Sequence, residues 1–243
     1  MPRPLLPNSP LSEVSAEIRF HGDLSLYQAW GEIQQELRPA FPKLLVPPAV
    51  DGVAPMLQPI HLVSREDSQV VMLAVNTFGF SVRRYQGFEK FKADLQRALD
   101  VFSRHSDVRL STRMGLRYTN VLPEAFGQAP VPGRLHGALK LGLSGWPIEA
   151  TEIAEQSLLV VNGVARGVKL RVSMLPRAAV LLNKPVSIQS AVHGVILDLD
   201  GFREGSIPVG DFPTFLEAAH GVIEDAFFGL LTDEYHRYVE GRE

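Results

Sequence analysis

The chain has 243 residues, a formal charge of −3, 45% hydrophobic residues and no cysteine. That is apolar enough for a sizeable core, in one large domain or two small ones, and too apolar for a disordered chain. The missing thiols exclude disulfides, thiolate zinc sites and cysteine nucleophiles. No linear run of basic residues supplies the stripe that neutralises phosphates, so nucleic acid is not the expected partner.

The opening MPRPLLPNSPLSEV holds four prolines and lacks the apolar stretch of a secretory signal. The longest apolar run, VVMLAV at 70–75, falls far short of the roughly 20 residues a membrane span needs. A cytoplasmic protein without membrane contact is expected. Residues 1–12 read as an extended, proline-rich arm. Val14, Ala16, Ile18 and Phe20 then alternate with Glu13, Ser15, Glu17 and Arg19, the pattern of a half-buried strand. Leu26, Trp30, Ile33 and Leu37 have helical spacing, and Pro39 stops the helix. The segment 39–55 carries five prolines and reads as a loop.

Residues 69–85 give the strongest strand signal, apolar on both faces at first and polar toward Ser81, Arg83 and Arg84. The preceding 60–63, followed by Arg65-Glu66-Asp67-Ser68, predicts a hairpin. Gly87 opens a second helix buried along Phe88, Phe91, Leu95 and Phe102, and 109–121 returns as a strand. PEAFGQAPVPG at 123–133 is the best internal boundary, dividing a first half, 1–124, from a second, 134–243. The stretch 133–143 fits either a strand or a short helix.

Residues 152–161 and 168–174 flank a glycine-containing turn, with Val168, Leu170, Val172 and Met174 inward and Lys169, Arg171 and Ser173 outward. A further strand lies within 186–200 and is clearest in its last six residues. The longest helical stretch is 211–239, with Asp211 as N-cap and Phe215, Ala219, Ile223, Phe227 and Leu230 on one stripe. Thr232-Asp233-Glu234 restarts it after Gly229. The expected fold is α+β, a mostly antiparallel sheet with helices on one side. It forms either one continuous domain or two similar packed halves, an old duplication.

The P-loop, GxGxxG, GxSxG, HExxH and EF-hand patterns are all missing. His220 and Glu224 sit four apart on the last helix, a spacing that suits a metal but more often marks a solvated helix face. Strand charges at period two are more informative. Arg113 and Arg117 share one face of their strand while Leu116 and Tyr118 point to the other, Asp198 and Asp200 share a face near the end of VILDLD, and Glu13 and Glu17 share a face of the first strand. Together they imply a polar sheet surface. Arginines can hold an anionic, phosphate-containing group bidentately, and paired aspartates can hold Mg²⁺ through oxygen. The preferred reading is that these charges neutralise one another or face water. Arg83-Arg84-Tyr85 at another strand end offers a contact to phosphate or nucleic acid, though basic residues commonly close strands. The DxD of 198–200 lacks the surroundings that haloacid-dehalogenase phosphotransferases require.

Five segments carry a likeness: LPNSPLSEVSAEIRF (6–20), YQGF (85–88), GLRYTNVLP (115–123), VILDLDGF (195–202) and HGVIEDAFFGLLTDEYHRYV (220–239). In order and spacing they resemble a family of uncharacterised prokaryotic proteins of about this length, sporadically distributed across bacteria and archaea. The matching positions are Pro10, Glu17, Arg117, Tyr118, Asn120, Asp198 and Asp200. The resemblance implies no particular activity. Sporadic distribution is that of accessory genes, including defence and toxin–antitoxin cargo, and this is association only.

Two functional expectations follow. The first is a binding or interaction protein without catalysis, an accessory component of a defence or stress module whose partner is another protein. The second is an enzyme or ligand sensor taking an anionic small molecule, with Mg²⁺. It would use Glu17, Arg113, Arg117, Tyr118 and Asn120 for the ligand and Asp198 and Asp200 for the metal.

Overall fold

A computed structural model describes residues 5–46, 58–122, 138–140, 159–175 and 195–242. The boundary at 123–133 and the residues 152–158 and 186–194 lie outside them. The first strand, β1 (Leu11–Arg19), buries Val14, Ala16 and Ile18 as its alternation requires. Helix α1 (Leu26–Leu37) follows, buried along Leu26, Ile33 and Leu37. A short strand, β2 (Lys43–Leu45), then lies within the segment read as a loop. Three residues between prolines give too little pattern to see, and β2 exists by pairing with β3 (Ile60–Val63).

The long apolar run is two strands rather than one. β4 (Gln69–Ala74) turns at Val75-Asn76 into β5 (Thr77–Val82), with Leu73 opposite Phe78 and Ala74 opposite Thr77. Neither turn residue has a positive φ, and neither is glycine, so the usual hairpin signal is missing. Helix α2 (Phe88–Arg104) follows Gly87, whose φ of 101° suits glycine at this entry. Next come β6 (Leu110–Leu122), β7 (Leu159–Ala165) and β8 (Val168–Leu175).

Strand β9 (Val195–Pro208) runs far beyond the aspartates, so Asp200 lies in mid-strand instead of near its end. Gly201 permits this and more. A Cβ there would come within 3.2 Å of Ile223, so glycine lets helix α3 (Phe212–Leu230) approach the sheet. Asp211 precedes α3 but makes no side-chain cap. Helix α4 (Asp233–Val239) restarts as expected, with Thr232 accepting from the Tyr235 amide.

Among the described residues the nine strands form one antiparallel sheet in the order β2-β3-β4-β5-β1-β6-β9-β8-β7. The fold is α+β. The two sides of the central β1–β6 pair follow one plan. On each, a meander (β3-β4-β5 or β7-β8-β9) lays its last strand against the central pair, β5 on β1 or β9 on β6, and the chain continues into a helix, α2 or α3. The sheet runs through the pair without a break, since β6 bonds to β1 on one side and β9 on the other.

The helices cover the face that carries Val14, Ile18, Phe78, Phe80, Leu116 and Leu199, all essentially inaccessible. The opposite face is charged along β1, β6 and β9 and onto β8, where Lys169 and Arg171 lie opposite Phe202 and Asp200. Toward β3 and β4 it buries Val63 and Val70. His61 shares that face at 5% exposure, and neither ring nitrogen has a partner among the described residues. Burial first, and then the nearby Arg83 charge, push its pKa below the ordinary 6.5.

The native fold therefore holds His61 neutral, while the unfolded chain takes a proton below about pH 6.5. Stability is unaffected by this group above that pH and falls below it, by up to about 1.4 kcal/mol per pH unit. Urea unfolding at pH 7 and pH 5 should show a smaller acid loss in His61→Leu than in wild type. Equal losses would mean the native imidazole titrates normally.

Candidate functional site

The two faces of the β1–β6–β9 region carry two different polar constellations. On the face away from the helices, register places Arg117 opposite Asp200, and Glu17 opposite Gly115. Arg117 reaches two residues along β9 to hold Asp198 bidentately, Nε to Oδ1 at 2.6 Å and Nη2 to Oδ2 at 2.9 Å. Arg113 donates from Nη2 to both oxygens of Asp200, at 3.0 and 2.8 Å, and from Nη1 to Glu17 Oε1 at 3.2 Å.

Gly115 makes room for that reach, since a Cβ there would sit 2.5 Å from Arg113 Nη1. The Arg113 guanidinium also lies 4.8 Å from the centre of the Phe202 ring, an additional attraction for the cation. Burial raises the Asp200 carboxyl above its usual range, and Arg113 lowers it again only in part. Glu17, Arg113, Arg117, Asp198 and Asp200 thus gather as one ladder of ion pairs. Both fork-shaped cations are occupied by the protein's own carboxylates. Among the described residues, no three His, Cys, Asp or Glu side chains gather as a metal site.

Arg83 and Arg84, read as a phosphate contact, also meet acids. Arg83 approaches Glu13 at 3.9 Å and Arg84 approaches Glu66 at 3.3 Å.

Tyr118 and Asn120 belong to the other face. They differ in parity from Arg117, so the same strand turns them toward the helices. There they floor a cleft of about 700 Å³ between α2, α3 and the N-terminal arm. The arm is tied down by Asn8, whose amide bonds to Val239 O and whose Nδ2 bonds to Tyr238 O. Leu5 and Leu6 of the arm line it together with Leu11 at the start of β1, and so do Ile223, Phe227 and Phe228 of α3.

The polar end of the cleft is a hydrogen-bonded chain. The Tyr85 and Tyr118 hydroxyls are 3.2 Å apart, and Tyr118 Oη lies 2.9 Å from His220 Nδ1. The His220 ring stacks on Phe88 with centroids 3.9 Å apart. Burial pushes Tyr85 up to about 12 and Tyr118 well above its ordinary value. Both phenols stay protonated at physiological pH. Asn120, 3% exposed, donates to Leu197 O and so braces the floor on β9.

The seven candidate residues therefore divide, five into the ladder and two into the cleft. Sequence reading did not find Tyr85, Phe88 or the arm leucines as cleft residues. It did single out His220 and Glu224, and both line this cleft. The signal that relates them to Tyr118 is tertiary, because α3 must first lie against α2. The ion pair of Lys92 with Glu217 joins those helices. No described helix is long and apolar enough to cross a membrane. The chain matches no family model and no curated protein.

Proposed function

We propose that this chain is a binding protein without catalytic activity, and that the α2–α3 cleft is where it binds. The observation that carries this reading is the cleft's make-up: about 700 Å³, apolar walls, the convergent Tyr85, Tyr118 and His220 at one end, and the charged Glu89, Lys90, Glu217 and Glu224 also in the lining. Such a composition suits capture of a small amphipathic molecule. The protonated phenols are hydrogen-bonding groups rather than nucleophiles or bases. The ladder favours the same conclusion from the opposite face, since Arg113 and Arg117 hold internal carboxylates instead of standing ready for phosphate. An accessory role in a prokaryotic defence or stress module accords with the sporadic family that the chain resembles, the bound molecule acting as its signal toward a partner protein.

A thermal-shift screen with small amphipathic molecules tests the reading. A ligand present at 100 times its Kd adds about 2.7 kcal/mol to stability, a readily measured rise in Tm. Ser9→Trp, at the exposed rim of the cleft, should abolish the rise without disturbing the core. Shifts that persist in Ser9→Trp would place binding elsewhere, and turnover of any bound molecule would remove the non-catalytic claim.

A further inference from the structure

We infer that the molecule taken by this cleft is an uncharged alcohol, an apolar body whose hydroxyl joins the Tyr85–Tyr118–His220 chain; the inference rests on the cleft being the binding site. Three observations converge on that class. The first is the state of the charges in the lining. Glu89, Lys90 and Glu217 are exposed to water, and each is already matched. Lys92 pairs with both Glu89 and Glu217, and Lys90 pairs with Asp94. Glu224 is engaged as well. Among the described lining residues no counter-charge is kept for a ligand, so an ionic head of either sign would lose water on entry without a partner in return.

The second observation is the dryness of the polar end. Tyr118 is buried, as is the Phe88 ring that stacks on His220. Burial is the main reason the Tyr118 phenol is raised well above its ordinary value, and the same loss of water disfavours any charge brought beside it.

The third is what the chain requires of a partner. A phenol oxygen offers one proton and two lone pairs, and a neutral imidazole offers one donor and one acceptor. The contacts at 3.2 and 2.9 Å can therefore run either way, from Tyr85 through Tyr118 to His220 Nδ1 or from a protonated Nδ1 back to Tyr85. In the first direction Tyr85 gives its proton to Tyr118 and can only accept from a ligand. In the second its own proton is left to donate. A hydroxyl both donates and accepts, so it completes the chain in either state, whereas a ketone or an ether completes it in one alone. Tyr85 is the half-buried end of the chain. The ligand's hydroxyl meets it there, and the apolar body lies along Leu5, Leu6 and Phe227.

The test compares three probes with one tail and different heads. In calorimetric titration of the full chain near neutral pH, octanol should bind about tenfold tighter than either octanoate or octyltrimethylammonium. Tyr85→Phe keeps the ring and removes the hydroxyl. It should weaken octanol about three- to tenfold, the scale of one neutral hydrogen bond, and leave both ions unchanged. Tyr118→Phe, in the middle of the chain, should act in the same direction if Tyr85→Phe fails to fold. Either ion binding as tightly as octanol, in a manner that Ser9→Trp abolishes, would overturn the inference and leave the cleft as the binding site. So would octanol binding that neither phenylalanine variant weakens. Failure of all three probes to bind, or binding that survives Ser9→Trp, would overturn the cleft reading itself, and the inference with it.

Discussion

Replacing Phe78 with Ala is expected to lower stability by about 3–5 kcal/mol, the range for truncating a buried phenylalanine. The ring has no exposure and lies in β5, between β4 and the central β1. It faces Leu73 across one ladder and Ile18 across the other, and its centroid is 4.9 Å from that of Phe102 in α2. A cavity there is bounded by two paired strands and a helix, none of which can move inward independently, so little of the lost volume closes. Leu73→Ala should cost about 2–5 kcal/mol by the same mechanism. Because the two side chains share one site, the double variant should cost less than the sum. Met72→Ala, on the opposite face of β4 and only half-buried, should cost clearly less. Equal losses at Leu73 and Met72 in urea titrations would contradict the assignment of helix-facing and far faces.

The apolar run that ends in Phe78 also shows where sequence pattern stops being informative. β1 is legible because one face is buried and the other is charged, so alternation survives in the residues. β4 and β5 sit inside the sheet with both faces partly buried, and there alternation disappears. With no glycine or proline at Val75-Asn76, nothing local marks the turn, and only the pairing of Leu73 with Phe78 defines it. β9 was read short for the converse reason. Gly201 looks like a strand end but serves close packing beneath Ile223.

The ladder was legible because period two brings Arg113 and Arg117 onto one face of β6, and Asp198 and Asp200 onto one face of β9. The antiparallel register then aligns the two pairs. The cleft was not. Its parts come from the arm, the entry to α2, β6 and α3, and no periodicity within one element relates them. Alternation along β6 already puts Tyr118 on the side away from the arginines, and Asn120 follows it by parity; only the resemblance groups the two with the ladder.

Removing Arg113 should have the larger effect of the two arginine truncations in the ladder. Its side chain is 16% exposed, as is that of its partner Asp200, and the same guanidinium also reaches Glu17, which Arg19 holds as well. Arg113→Ala leaves a half-desolvated carboxylate without its cation and removes the contact with Phe202. A loss of about 2–3 kcal/mol is expected, below the 3–5 kcal/mol of a fully buried pair because some water reaches this one. Arg117 holds Asp198 with equally good geometry, yet its own side chain is 51% exposed. Solvent can replace part of what it provides, but Asp198 is itself only 10% exposed, so Arg117→Ala should cost about 1–2 kcal/mol, less than Arg113→Ala. The order of the two losses thus follows burial rather than hydrogen-bond count. Urea unfolding of wild type and both variants, with and without inorganic phosphate and Mg²⁺, measures it. Unchanged or higher stability in Arg113→Ala, with phosphate stabilising only wild type, would show an arginine kept ready for an external anion. The ladder would then be a binding site in its own right. A marked loss in Arg113→Ala, with no phosphate effect on any of the three proteins, leaves it as the internal charge network that joins β1, β6 and β9.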